Sequence, residues 1–236
     1  MKFAIFSDIH GNLQALETIM EDIKKCKYNK VICLGDVIAL GPNSKECLDL
    51  IINNNVEMVL GNHELYYLKG TEIDSKIEKE EINHQKWVKS TLNKRHTEFL
   101  SHCPMILEEK LGNDKIAFQH FFMDSSKKEY PFEDIESIKG DSIAEKIKQI
   151  EAKYIFIGHQ HSAFEFCKGN KKIVDVGSSG CVKGNETFYT ILTIDKGKVN
   201  IEKRVLKFDR EKFVKTLNEC TYPEKSIISK VFFGVN

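Results

Sequence analysis

Apolar and polar positions follow two rhythms along this chain. Short runs rich in Val, Ile and Phe recur at 2–6 (KFAIF), 30–34 (KVICL), 56–60 (VEMVL), 115–119 (KIAFQ), 154–157 (YIFI) and 172–176 (KIVDV), each of strand length. Between the first three, the spacing changes to three and four. Leu13, Leu16, Met20 and Ile23 follow the capping residue Asn12, and Cys47, Leu48, Ile51 and Ile52 follow Asn43-Ser44. Strand-helix-strand alternation predicts an α/β sheet with parallel pairs. Later, 172–176, 187–194 and 199–207 follow one another with turn residues between, such as Asp195-Lys196-Gly197-Lys198, and predict an antiparallel meander.

Two stretches break this pattern. Residues 69–113 are rich in Lys, Glu and Asn, with Ile73, Ile77, Ile82, Trp87, Leu92, Phe99 and Leu100 spaced loosely for helix. They predict one or two amphipathic helices inserted after the third strand, overhanging whatever site the strands build. In the tail, 209–233, Asp209 caps a segment holding Phe213 and Leu217. Pro223 then takes a first-turn position before Ile227, Ile228 and Val231, which predicts two short helices. With no internal repeat or linker, residues 1–236 are expected to form one domain with an insertion at about 69–113.

At 236 residues, with 41% hydrophobic and 30% charged content, the chain can bury a sizeable core. It has no run approaching the roughly 18 to 20 apolar residues of a spanning helix. The N-terminus meets Asp8 before a signal-type apolar region develops, so a cytoplasmic protein is expected. Thirty-five Lys+Arg balance 35 Asp+Glu, which disfavours nucleic-acid binding by bulk charge. The seven Cys are odd in number and scattered without a Cys-x-x-Cys pair, against both a disulfide framework and a thiolate zinc site.

The ionisable residues carry more information. Asp8 and His10 follow the first strand; Gly35-Asp36 the second; Gly61-Asn62-His63-Glu64 the third; His120 the run 115–119; and Gly158-His159-Gln160-His161 the run 154–157. Carboxyl ends of parallel strands share one edge of a sheet, where ligands usually bind, so these groups can converge across more than 150 residues of sequence. Glycines 35, 61 and 158 let the backbone turn sharply and keep space beside each group clear. A single Asp-x-His is weak evidence, since polar pairs at strand ends are common turn formers; the ordered set is not. Two carboxylates, four imidazoles and one amide form an N/O donor set suited to Mn, Fe, Zn, Co or Ni, with Mn the first expectation. Seven donors exceed the needs of one ion. Two ions about 3.5–4 Å apart are an established arrangement for phosphoester hydrolysis, one activating water and both stabilising oxygens.

With these motifs in order, the sequence resembles the calcineurin-like metallophosphoesterase superfamily. The match spans about residues 1–207. Ser7-Asp8-Ile9-His10-Gly11-Asn12-Leu13, the segment Gly35-Asp36-Val37-Ile38-Ala39-Leu40-Gly41-Pro42 and Gly177-Ser178-Ser179-Gly180 are similar to its small prokaryotic phosphodiesterase branch. The resemblance implies a four-layer αββα sandwich and a small phosphoester substrate, with no membrane partner. It places one metal on Asp8, His10, Asp36 and His161, the other on Asp36, Asn62, His120 and His159. His63 then donates a proton or hydrogen bond, and Glu64 could orient it. A rival reading, a metal-binding interaction scaffold, is disfavoured because the ligand set and His63 are complete. Two departures stand out: His120 is followed by Phe121-Phe122 rather than small residues, and the late loop reads Asp175-Val176-Gly177-Ser178 rather than Asn-Pro-Gly-Ser. The phenylalanines fit core packing better than a substrate wall. Gly177-Ser178-Ser179-Gly180 fits a plain turn and a phosphate-approaching loop equally, and His84, His96 and His102 read as solvated or packing histidines.

Overall fold

The side chains of β1 (Lys2–Phe6) point alternately into two different cores, and this decides how the layers stack. Phe3 and Ile5 join Ile116, Phe118, Phe156 and Val174 of another sheet, whereas Ala4 and Phe6 join Leu16, Ile19, Leu48 and Ile51 of two helices. With side chains alternating faces, one strand serves a sheet-on-sheet and a sheet-on-helix interface. The computed structural model describes residues 1–122, 147 and 150–235.

The first sheet contains β1, β2 (Lys30–Cys33) and β3 (Glu57–Met58), paired in parallel. Helices α1 (Leu13–Lys25) and α2 (Ser44–Asn53) cross between them, and Asn12 caps α1 by accepting the Ala15 N–H at 3.1 Å. α3 (Asn62–Lys69) starts directly after the third strand. The insertion supplies a short turn at Thr71–Ile73, then α4 (Lys79–Thr91) and α5 (Lys94–His102). The second sheet runs β4-β5-β6-β8-β7, from β4 (Ile106–Leu111), β5 (Asp114–Gln119), β6 (Tyr154–Ile157), β7 (Phe164–Lys168) and β8 (Lys171–Asp175). β9 (Glu186–Asp195) and β10 (Lys198–Lys207) return to the first sheet, giving β10-β9-β1-β2-β3. The tail forms α6 (Arg210–Glu219) and α7 (Lys225–Ile228), followed by a wider turn at Ser229–Phe233.

This is the α/β architecture of the four-layer sandwich: two mixed sheets face to face, with helices outside. Phe122, Ile147 and Ala152 pack on the outer face of the second sheet. Three expectations need correction. β8 is not part of a meander, because it pairs in parallel with β6 and antiparallel with β7, and only β9 and β10 form the hairpin. The helical insertion ends at His102, since 106–111 is an edge strand whose residues are alternately exposed and half-buried. Pro223 precedes the helix cap Glu224 rather than standing in the first turn. Among the described residues, no helix is long and apolar enough to cross a membrane.

Candidate metal centre

Each predicted donor sits where a strand or its following turn ends, and the two sheets bring those ends to one side of the molecule. Asp8 and His10 follow β1, Asp36 follows β2, Asn62 opens α3, His120 follows β5, and His159 and His161 follow β6. Asp8, His10, Asp36, His159 and His161 all adopt left-handed backbone conformations (φ between 47° and 74°), rare for residues with a side chain. Such conformations persist only where surrounding structure enforces them, and they cluster at functional sites. Part of the enforcement is close contact between loops. A Cβ on Gly158 would lie 2.1 Å from Ser7 Oγ and 2.7 Å from Asp8 Oδ2, and one on Gly180 would lie 1.9 Å from the Ile9 carbonyl oxygen. Gly180→Ala is therefore expected to force the late loop off the first motif, lowering the melting temperature and the metal content together. A thermal melt with metal analysis checks this, and a variant normal in both would show that the loops can part without cost.

The donor atoms converge in two groups. His10 Nε2 lies 3.0 Å from His161 Nε2 and 3.6 Å from Asp8 Oδ1, which is itself 3.4 Å from His161 Nε2. Asn62 Oδ1 lies 3.2 Å from His120 Nε2 and 3.0 Å from His159 Nδ1. Asp36 Oδ2 stands between the groups, 3.7 Å from His10 Nε2 and 3.2 Å from His120 Nε2. Ligands held about 2.1 Å from one ion are about 3.0 to 3.4 Å from their neighbours, so these spacings suit shared coordination. A second observation agrees. Asp8 Oδ1 is fully buried without a hydrogen-bond partner, a costly state for a carboxylate unless a cation faces it.

Backbone carbonyls aim two of the imidazoles. His120 Nδ1 meets the Leu34 carbonyl at 2.7 Å, and His10 Nδ1 meets that of Ile38 at 3.3 Å, leaving each Nε2 toward the donor group. Burial opposes charge on His120, but the Asp36 and Asp8 carboxylates outweigh it and raise its pKa to about 10. That is the response of a carboxylate-rich pocket to the nearest available positive charge. Asp36 Oδ1 accepts the His63 backbone N–H at 3.0 Å, so the first turn of α3 also supports this carboxylate.

Over this scaffold, residues 1–197 match the family model of the calcineurin-like phosphoesterase superfamily domain. The chain belongs to the calcineurin-like phosphoesterase superfamily. It is 33% identical over 161 residues to an uncharacterized protein of Methanocaldococcus jannaschii, covering 68% of this chain and 63% of that protein. It is 39% identical over 71 residues to the symmetrical bis(5'-nucleosyl)-tetraphosphatase of Baumannia cicadellinicola, covering 29% of this chain and 25% of that enzyme. The crystal structure of a metallophosphoesterase from Sphaerobacter thermophilus superposes with a TM-score of 0.72 at 18% identity, covering both chains fully, and so shares the fold.

Some residues around the calcineurin-like centre escaped sequence reasoning. Glu64 does not orient His63. Its carboxylate accepts the backbone N–H groups of Asp36 (2.8 Å), Val37 (2.8 Å), Ile38 (3.3 Å) and Gly61 (2.9 Å), tying the second motif to the third. The partner of His63 is Gln85 on α4, whose amide nitrogen meets His63 Nδ1. Donation there places the imidazole proton on Nε2, which lies 3.9 Å from Asp36 Oδ2. Burial, with neighbouring histidines adding to it, lowers His63 to about 3, so a neutral ring with one N–H is favoured. Cys181 was also missed. It reaches within 4.8 Å of the His10 and His161 donor atoms, but burial first, then the Asp8 charge, pushes its thiol well above the usual range.

The remaining ambiguities resolve toward packing. Ser179 and Gly180 donate backbone N–H groups to the carbonyls of Ser7 and Asp8, and Ser178 Oγ donates to Asp8, so this loop clamps the first motif. Asp175 Oδ1 accepts the Gly177 N–H at 2.8 Å, and burial pushes its pKa up to about 8. Phe121 and Phe122 are buried in two separate cores, with Phe121 also edge-on to His120 at 5.5 Å. Truncation of Phe122 to Ala should cost roughly 3–5 kcal/mol of stability and leave the preference between substrates unchanged. Denaturant titration and a two-substrate ratio test this, and a changed ratio at unchanged stability would place the ring in the site. His84 and His96 are buried rather than solvated, and His84 accepts the Leu40 N–H at 2.8 Å.

A cavity of about 690 Å³ opens over the centre, lined by His10, Asp36, Asn62, His63, His159 and His161 on its floor. Its walls come from the insertion, as expected, and from the C-terminal segment, which was expected to pack on the sheet instead.

Proposed function

We propose that this chain hydrolyses a small soluble or nucleotide-like phosphomonoester or phosphodiester with two divalent ions. Asp8, His10, Asp36 and His161 would hold one, and Asp36, Asn62, His120 and His159 the other, the ions drawn from Mn, Fe, Zn, Co and Ni, which this N/O set suits, with Mn the first candidate. The observation that carries the reading is the place of Asp36 Oδ2 between two separate donor groups. When bound, the ions supply an activated water and positive charge for the phosphoryl oxygens. His63, its Nδ1 engaged by Gln85, directs its Nε2–H to the leaving oxygen or to a phosphoryl oxygen. Asn62, His159 and His161 line the cavity, so a phosphoryl group entering it would lie beside the ions they would hold. A nucleotide-like substrate is in keeping with the partial match to the bis(5'-nucleosyl)-tetraphosphatase.

A metal-resolved screen tests this. Protein stripped with chelator and reloaded singly with Mn, Fe, Zn, Co or Ni should turn over members of a panel of phosphomonoesters, phosphodiesters, cyclic nucleotides and dinucleotides. A fully loaded protein inactive on every class would favour the scaffold reading instead.

Gln85 gives a separate prediction, because it acts through His63. Gln85→Leu should lower turnover about 10- to 100-fold, the usual cost of losing an orienting partner, while adding little in a His63→Ala background. The tautomer of His63, read from nitrogen chemical shifts, should become mixed in Gln85→Leu. An unchanged tautomer with reduced turnover would assign Gln85 a different role.

A further inference from the structure

The C-terminal segment lies beyond residue 197, where the family match ends, yet it closes one side of the cavity over the candidate metal centre. Its position is fixed at both ends. Upstream, Tyr222 stacks on Trp87 of α4 with ring centroids 4.8 Å apart. Downstream, the Phe233 ring is fully buried 5.0 Å from Phe213, and its carbonyl accepts from Arg210 at 2.7 Å. Arg210 also donates to the carbonyls of Val182 and Gly184, joining the segment to the loop after the second sheet. Between these anchors the chain turns tightly through 225–233, so while Phe233 is held in the core, its neighbour Phe232 is left to face the cavity. The Phe232 ring sits 6.0 Å from that of His161, and Ile227, 59% exposed, lines the same wall.

The rest of the lining has another chemistry. Asp74, Glu78, Glu80 and Glu81 face the cavity from the insertion, with Glu224 from the tail; Lys76 is the single lysine or arginine among the described lining residues. A second anionic group on the substrate would meet carboxylates there and be repelled. A neutral ring would meet an aromatic side chain and acceptors for its N–H groups within one cavity.

We propose that this outer half of the cavity is a subsite for a flat, uncharged ring carried by the phosphoester, of the nucleobase or aryl class, with Phe232 as its platform. The proposal rests on the phosphoester reading above and adds the substrate's other end.

Binding to the Mn-loaded protein tests it without turnover, using phosphonates in which carbon replaces the ester oxygen. The probes are ethylphosphonate, benzylphosphonate and 4-carboxybenzylphosphonate, measured by calorimetry. Benzylphosphonate should bind about fivefold or more tighter than ethylphosphonate, the lower range of a stacked ring. The 4-carboxy compound should lose that advantage, and Glu81→Gln should return part of it. Phe232→Ala should erase the gap between benzyl and ethyl compounds while leaving the ethylphosphonate Kd and the metal content unchanged. Phe232→Leu, which keeps apolar bulk but not the flat face, does the same test should the alanine variant fold poorly. Equal weakening of both ligands, or an unchanged gap, would overturn the subsite while leaving the phosphoester reading intact. Failure of the wild-type protein to bind any of the three, with metal present, would overturn both.

Discussion

Asp36→Asn is expected to strip metal from both halves of the centre and to reduce turnover by on the order of 10³-fold or more. The reason is electrostatic. Two unit charges about 4 Å apart repel by about 4 kcal/mol at an effective dielectric of about 20, and two divalent ions by about four times as much. A carboxylate oxygen between them offsets that repulsion from both sides, and Asp36 Oδ2 is placed to do so. An asparagine keeps the shape, and its carbonyl can still accept the His63 backbone N–H that Asp36 Oδ1 accepts at 3.0 Å, so the fold should survive. Metal analysis of purified protein and a thermal melt separate the two effects. Near-wild-type metal content and turnover would remove Asp36 from the bridging role.

His63→Ala should do the reverse: metal content stays near normal while turnover falls about 10²- to 10⁴-fold, the range for a lost proton or hydrogen-bond donor. The leaving group then distinguishes its two possible targets. A nitrophenolate needs little protonation and an alkoxide needs much, so aryl esters should suffer less than alkyl esters if His63 serves the leaving oxygen. Equal losses on both would assign the Nε2–H to the phosphoryl group. Loss of metal would make His63 a ligand, a reading its 3.9 Å distance from Asp36 Oδ2 keeps testable.

The proposed ligands were legible in the sequence because each lies directly after a strand or its turn, where local motif and sheet edge coincide. The first sheet's parallel core could be read for the same reason: Leu13, Leu16, Met20 and Ile23 announce a helix that returns the chain beside β1. Long-range placement was not legible. β8 has the same apolar run as the other strands, and nothing local says that it pairs with β6 rather than β9. β4 escaped because an edge strand buries little and IlePheVal-type runs are not required there; its own ILEEKL mixes charge with apolar residues. Gln85 was invisible for a different reason. Its role depends on α4 folding back over α3, and a glutamine in a charged helix carries no motif. Glu64 was misassigned because adjacency to His63 suggested contact, whereas the first turn of α3 points its carboxylate into the Asp36 loop.

The five motifs are proposed to hold two ions that share Asp36. Anomalous scattering from crystals grown with Mn tests this most directly. Two peaks are expected about 3.5–4 Å apart, one beside His10 and His161 and the other beside Asn62, His120 and His159, with Asp36 between them. A single peak, or peaks away from Asp36, would contradict it.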